Sequence, residues 1–269
     1  MFDLQTNIHV AGAMTELQRI VCAGYIEYRH GVVPVDQAMA MLERFESRHK
    51  LSMSEDQRSH ARRKGKAVYR LVMYPAPNST ELHWWLLRTP GHYEDDDRRW
   101  RSVKKDRLEW VWWYELVQLP VPPAHRAKYN RTLKDGTDGR AKDSVGSKKP
   151  RQGINAVTWT WRIKPRVVQE LKQDLRFYLY KQDHRLEQLV LSIRRAPGFR
   201  GIRGDVYGLY GFIQRQARNQ GRACPELPET IPWVRNQRFK KAPLSSLVRR
   251  ANSGAESWFP DEPSGTTGA

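Results

Sequence analysis

The sequence predicts an α+β fold: N-terminal helices, a small antiparallel sheet, and a predominantly helical, basic C-terminal part. Three observations predict it. Apolar residues recur at helical spacing between residues 13 and 49. Short β-rich runs broken by turn residues occupy 67–120. Helical spacing returns after residue 165, where Lys and Arg far outnumber Asp and Glu.

Residues 13–29, AMTELQRIVCAGYIEYR, align Leu17, Ile20, Val21, Gly24 and Tyr28 on one stripe and predict a first amphipathic helix. A second starts near Pro34, a residue suited to a first helical turn, and carries Ala38, Met41, Leu42 and Phe45 to about His49. Ser54 is placed to cap a short basic helix in LSMSEDQRSHARRKGKA. From Ala67 the pattern becomes AVYRLVMYP, a Pro-Asn-Ser turn region and TELHWWLLRTPG, the two apolar runs of a hairpin. WYELVQLP, 113–120, supplies a third strand of an antiparallel sheet. Between the second and third strands, HYEDDDRRWRSVKKDRLEW sets an acidic run beside a basic one and predicts a solvated excursion.

Residues 121–155 mix Pro, Gly, Lys and Ser with almost no apolar content, which predicts a flexible linker or long loop. It divides a region of helices plus sheet, 1–120, from a strand followed by a helical basic region, 156–250, either as separate domains or as one long excursion. After it VTWTWRI alternates cleanly, with Trp159, Trp161 and Ile163 on one face and Thr158, Thr160 and Arg162 on the other, a strand able to join the earlier sheet. A helix over 165–180 carries Val168, Leu171, Leu175 and Tyr178, and Leu186, Leu189, Val190 and Ile193 repeat the pattern. Asp205 is expected to cap a helix bearing Val206, Leu209, Ile213 and Ala217, with Gly221 as its terminator. The Pro-punctuated stretch from Cys224 reads as coil, and 251–269 as a disordered tail.

Ten tryptophans and 39% hydrophobic residues argue for a folded chain. Its net charge of +18 is the electrostatic footprint of a protein that meets a polyanion. No run approaches the roughly 20 apolar residues of a membrane span, and MFDLQTNIHVAG lacks the basic start and apolar core of a signal peptide, so a cytoplasmic protein without membrane contact is expected. Cys22 and Cys224 belong to no Cys-x-x-Cys pair, and neither a metal nor another cofactor is expected.

The charge is concentrated. Residues 194–250 hold thirteen Lys or Arg against Asp205, Glu226 and Glu229. Within them RRAPGFRGIRGDV interleaves Gly198, Gly201 and Gly204 with Arg194, Arg195, Arg200 and Arg203 ahead of a helix start. Backbone N–H groups at such a start, approached closely through glycine and flanked by guanidinium groups, suit one backbone phosphate. Arg215, Arg218, Arg235 and Arg238 would extend the track. Arg58, Arg62, Arg63, Lys64 and Lys66 form a second basic cluster, with Arg62, Arg63 and Lys64 as its candidate contacts. Trp84, Trp85, Trp110, Trp112 and Trp113 crowd the sheet, where an aromatic side chain can stack an unpaired base.

Catalytic patterns are thin. No two of the eight histidines stand one residue apart, the spacing of a relaxase metal site. The only dense carboxylate cluster, 94–97, reads as surface charge balance. A metal-independent ribonuclease needs only a general base, a general acid and cations, which His30, Tyr28 and Arg29 at a helix end could supply.

TWTWRI, the two helices after it, RRAPGFRGIRGDV, and YELVQLP before the linker together resemble basic accessory proteins encoded on proteobacterial plasmids and integrative conjugative elements. The resemblance covers most of 67–235 and implies a role in replication, transfer or control of mobile DNA. The expectation is a nucleic-acid-binding protein, DNA before RNA. Two alternatives stand beside it: a metal-independent CRISPR-type RNA-processing endoribonuclease, which would need a ferredoxin-like sheet, and an adaptor that binds protein partners of a transfer or replication complex through its tryptophans.

Overall fold

A computed structural model describes residues 2–75, 80–93, 100–111, 113–122, 157–234 and 239–253. The predicted linker therefore lies almost wholly outside the described residues, as do most of the C-terminal tail and the acidic run 94–97. The architecture is α+β, with α-helices around small antiparallel sheets.

The chain opens with β1 (Gln5–Asn7) and α1 (Val10–Cys22), then turns extended at β2 (Glu27–Pro34). This corrects the single helix expected over 13–29. Gly24 sits at φ 95°, a left-handed turn that ends the helix, and beyond it the β-branched Val32 and Val33 favour a strand. A four-stranded antiparallel sheet follows, ordered β3, β4, β2, β5, where β3 is Tyr69–Pro75, β4 is Glu81–Arg88 and β5 is Arg101–Ser102.

Both faces of this sheet are covered. Val72, Tyr74, Trp85 and Leu87 face a core shared with α1. Leu71, Met73, Leu82 and Leu86 face a second core built with α2 (Ala38–His49) and α8 (Leu244–Asn252). Successive strand residues point to opposite faces, so strands buried on both sides read as unbroken apolar runs. Between α2 and β3, α3 (Glu55–Arg63) starts at the predicted cap. The Ser54 hydroxyl accepts from the Gln57 backbone N–H at 3.2 Å, and the Gln57 side chain accepts from the Ser54 N–H at 2.8 Å.

The sheet partners also differ from expectation. β7 (Tyr114–Pro120) and β8 (Val157–Ile163) do not extend the first sheet; with β6 (Leu108–Trp110) they form a separate three-stranded one, Leu116 opposite Trp161. β6 and the short α4 (Val103–Asp106) arise from the expected solvated excursion, because Val103, Leu108 and Trp110 are buried. The stretch expected as coil supplies β9 (Lys241–Pro243), which pairs with β1, and α8, whose Leu244, Leu247 and Val248 recur at helical spacing and enter the second core.

α5 (Pro165–Lys181), α6 (Arg185–Arg194) and α7 (Arg200–Asn219) follow β8. Lys172 lies near Phe212 and Tyr180 near Arg222, so α5 and α7 run alongside each other in one direction, with α6 as the return. α7 starts five residues before Asp205, which is therefore not its cap; the Asp205 carboxylate accepts the Ile163 N–H at 2.8 Å. Gly221, at φ 61°, does follow the helix end. Buried Trp161 donates its indole N–H to the Met14 carbonyl at 2.9 Å and ties α1 to β8.

A Cβ on Gly201 would lie 2.4 Å from the Trp161 carbonyl oxygen, whereas one on Gly204 would meet nothing within 4 Å. Gly201→Ala is expected to lower stability by about 1–3 kcal/mol through overpacking. Gly204→Ala is expected to raise it by up to about 1 kcal/mol through helix propensity. Urea-unfolding midpoints of the two variants check the contrast, and equal midpoints would refute it.

Candidate nucleic-acid interface

The Gly-rich segment is mostly helix. Only residues 195–199 connect α6 to α7, and Gly201 and Gly204 lie inside the first turns of α7. Two of its three glycines serve packing: a Cβ on Gly198 would fall 1.7 Å from the Pro232 carbonyl oxygen, and Gly201 presses on Trp161. The Gly201 N–H, one of the donors expected to face a phosphate, instead donates to the Thr160 hydroxyl at 3.2 Å. Arg200 is held by the chain itself, donating to the carbonyls of Leu119 at 2.9 Å and Pro120, and to the Thr158 hydroxyl at 3.0 Å. Partial burial pushes its pKa down. Arg203 lies over the Trp233 ring at 4.1 Å and near Tyr207 at 5.5 Å.

The other expected contacts are scattered. Arg194 and Arg195 stand exposed at the end of α6, and Arg215 and Arg218 are exposed on α7. Arg235 and Arg238 lie outside the described residues. Arg62 pairs with Glu55 at 3.0 Å, Arg63 and Lys64 are exposed, and Arg58 is buried, donating to the Leu51 carbonyl.

What the structure brings together is an aromatic and cationic layer on α5 and α7. α5 buries Val167, Leu171, Leu175 and Leu179, which leaves Phe177 and Tyr180 facing solvent at 53% and 61% exposure. Cations lie against the rings around them. Lys172 and Arg176 approach Phe212 at 5.8 and 5.7 Å, Lys181 and Arg222 approach Tyr180 at 5.6 and 5.9 Å, and Arg185 lies 4.9 Å from Tyr178. Of the acidic neighbours, Glu170 is paired with Arg166 and Asp183 with Arg185, while Asp174 stands exposed on α5 between Lys172 and Arg176. The sequence reading missed this layer by rotating α5, placing Val168 and Tyr178 in the apolar stripe. The four-residue ladder from Val167 to Leu179 was the signal that would have turned Phe177 and Tyr180 outward.

The tryptophans of the sheet are mostly packed. Trp85 is fully buried and stacks on Trp110 at 4.8 Å, while Trp84 packs on Phe45 and Gly31. Trp113 is exposed at 47%, and Trp112 lies outside the described residues.

His30, Tyr28 and Arg29 are on strand β2 rather than at a helix end. One face of His30 is covered by Trp85 at 4.8 Å, and His83 stacks at 5.6 Å. Desolvation, then the charge of His83 and Arg101, pushes the His30 pKa down to about 4 although its edge reaches solvent. Burial also lowers that of His83. The Tyr28 hydroxyl donates to the Arg107 carbonyl at 2.7 Å, and burial raises its pKa. At neutral pH this cluster offers bases but no imidazolium to act as general acid. Among the described residues no group of three or more His, Cys, Asp or Glu could hold a metal ion, and no helix is long and apolar enough to cross a membrane.

Comparison with family models, curated proteins and solved structures returns no match.

Arg200→Ala is expected to cost about 1–3 kcal/mol by stranding its acceptors, while leaving the salt dependence of any nucleic-acid binding as in the parent. A flattened salt dependence in this variant would return Arg200 to the phosphate contacts. A second expectation concerns acid. His49, buried between Phe45 and Tyr69, is pushed down to about 4, chiefly by desolvation and then by Arg48. Its folded pKa lies below its unfolded value, so its contribution is full above about pH 6.5 and is lost as pH falls toward 4. Stability should decline over that window, and His49→Gln should make the decline shallower by up to about 1.4 kcal/mol per pH unit. Denaturant titrations at each pH would show it, and an unchanged slope would refute it.

Proposed function

We propose that the protein binds nucleic acid, and unpaired strands in particular, on the layer formed by α5 and α7. The observation that carries this reading is the exposure of Phe177 and Tyr180 among Lys172, Arg176, Lys181 and Arg222. Every base has a π-face, so an exposed ring accepts one without regard to sequence, while neighbouring cations meet the phosphates between bases. The +18 charge supports the same partner by drawing a polyanion to the surface and releasing its counterions. Contacts of this kind position a strand without reading it. DNA, the ligand the family resemblance implies, is the first probe.

The test is fluorescence anisotropy with a labelled single-stranded DNA, the matching RNA and the matching duplex, between roughly 50 and 200 mM salt. The Phe177→Ala/Tyr180→Ala variant is expected to bind the single strands at least tenfold more weakly, since each lost stack is worth about 1–3 kcal/mol, with duplex binding little changed. Lys181→Ala/Arg222→Ala is expected to reduce the slope of log affinity against log salt by about 1.4 for single strands, roughly 0.7 per phosphate contact. Absence of binding to all three probes at the lowest salt would overturn the reading.

A further inference from the structure

A second cationic site lies on other elements. A cleft of about 710 Å³ opens between the end of α2, the helix α3 and the loop that leads into β3. That volume is within the range of small-molecule pockets, about 300–1,000 Å³. The sequence builds its rim rigidly. The Ser54 capping box fixes the start of α3, and Gly65, at φ 74°, turns the chain back at its end. Lys66 then pairs in parallel with His92: the Ala67 N–H donates to the His92 carbonyl at 3.0 Å, and the His92 N–H donates to the Gly65 carbonyl at 2.8 Å. Gly91, at φ 151°, is required there, because a Cβ would lie 2.6 Å from the Ala67 nitrogen.

The chemistry of the walls is one-sided. Arg48, Lys50, Lys64 and Lys66 line the cleft, and no Asp or Glu does among the described residues. Lys50, Lys64 and Lys66 form no ion pair with any described residue. One wall is aromatic, with the His49 and Tyr69 rings 4.4 Å apart. His49 is 7% exposed, with its ring tilted against Tyr69 and edge-on to Phe45. A neutral imidazole presents one donor and one acceptor, the kind of pairing that the edge of a nucleobase can meet. An apolar ligand would leave the lysines unmatched, and a bare inorganic anion would leave the aromatic wall and His49 unused.

We propose that this cleft binds a nucleoside phosphate, with its phosphates at Lys64 and Lys66 and its base against Tyr69 and His49. The ligand is either a free nucleotide or the 5′-phosphorylated end of a strand, which share this chemistry. The inference does not depend on the strand-binding reading of α5 and α7.

The test is equilibrium binding of fluorescent N-methylanthraniloyl-ATP to the full chain, with unlabelled competitors. ATP is expected to displace it, with adenosine and inorganic triphosphate each at least tenfold weaker competitors. Lys64→Ala/Lys66→Ala, at two exposed positions, is expected to weaken binding at least tenfold with an unchanged thermal midpoint. Phe177→Ala/Tyr180→Ala should leave it unchanged, so the two sites can fail separately. Displacement by a 5′-phosphorylated oligonucleotide but not by its 5′-hydroxyl counterpart would assign the cleft to strand ends, whereas displacement by ATP alone would assign it to free nucleotide. No binding at millimolar probe, or inorganic triphosphate competing as well as ATP, would overturn the proposal.

Discussion

The C-terminal half depends on the close approach of α7 to β8. Gly201 brings the helix start against the Trp161 carbonyl, and the Thr160 hydroxyl takes up the Gly201 N–H. Arg200 reaches across to the Leu119 and Pro120 carbonyls, and Asp205 receives the Ile163 N–H one turn further on. These contacts tie one helix to two strands, from the buried Gly201 N–H to the exposed Pro120 carbonyl. Trp161 transmits the constraint to α1 through Met14, and the position of α7 sets that of α5 beside it. The exposed face of α5 is thus a consequence of where Gly201 lets α7 sit.

Charge in this protein has two uses that composition cannot separate. Arg58, Arg88 and Arg200 are turned inward, where a planar guanidinium satisfies carbonyls or a carboxylate: Arg88 pairs with Glu27 at 2.6 Å and is almost fully buried. Arg176, Lys181, Arg215 and Arg218 remain at the surface. Counting cations located a basic region but not which cations are available, because neighbours in sequence divide between the two uses. Arg200 and Arg203 are three residues apart; one holds strands, and the other lies on a tryptophan.

The legible parts of the sequence were those governed by local chemistry. The cap at Ser54, the helix beginning at residue 165, the alternation of VTWTWRI and the terminating Gly221 all act within a few residues and stand in the structure as the sequence predicts. Strand partners were not legible, since a central strand shows only that it is apolar on both faces. β2 was hidden because Leu17, Ile20, Gly24 and Tyr28 fit a helical stripe as well as a helix, a turn and a strand. The cleft was half legible: Lys64 and Lys66 stood out as charge, but His92 joins them only through its long-range pairing with Lys66, and His49 only through the packing of α2 against Tyr69.

The first sheet explains how two cationic sites can coexist without competing for one set of residues. Its two faces serve different cores: one packs with α1 toward the second sheet, α5 and α7, and the other with α2 and α8. Side chains of the α5 and α7 layer stand over the first core, while Tyr69 and His49 at the cleft pack with the second. The separation is not complete, because Val68 and Ala61 line the cleft and pack with the first core, so the two sites share that core's edge as well as the sheet between. A helical surface lined by rings suits a long, sequence-tolerant polyanion, whereas a walled cleft closed by backbone pairing limits its ligand to one nucleotide's worth of charge and one ring. On the two proposals made above, the same excess of lysine and arginine would serve an extended contact on one face of the sheet and an enclosed one at the other.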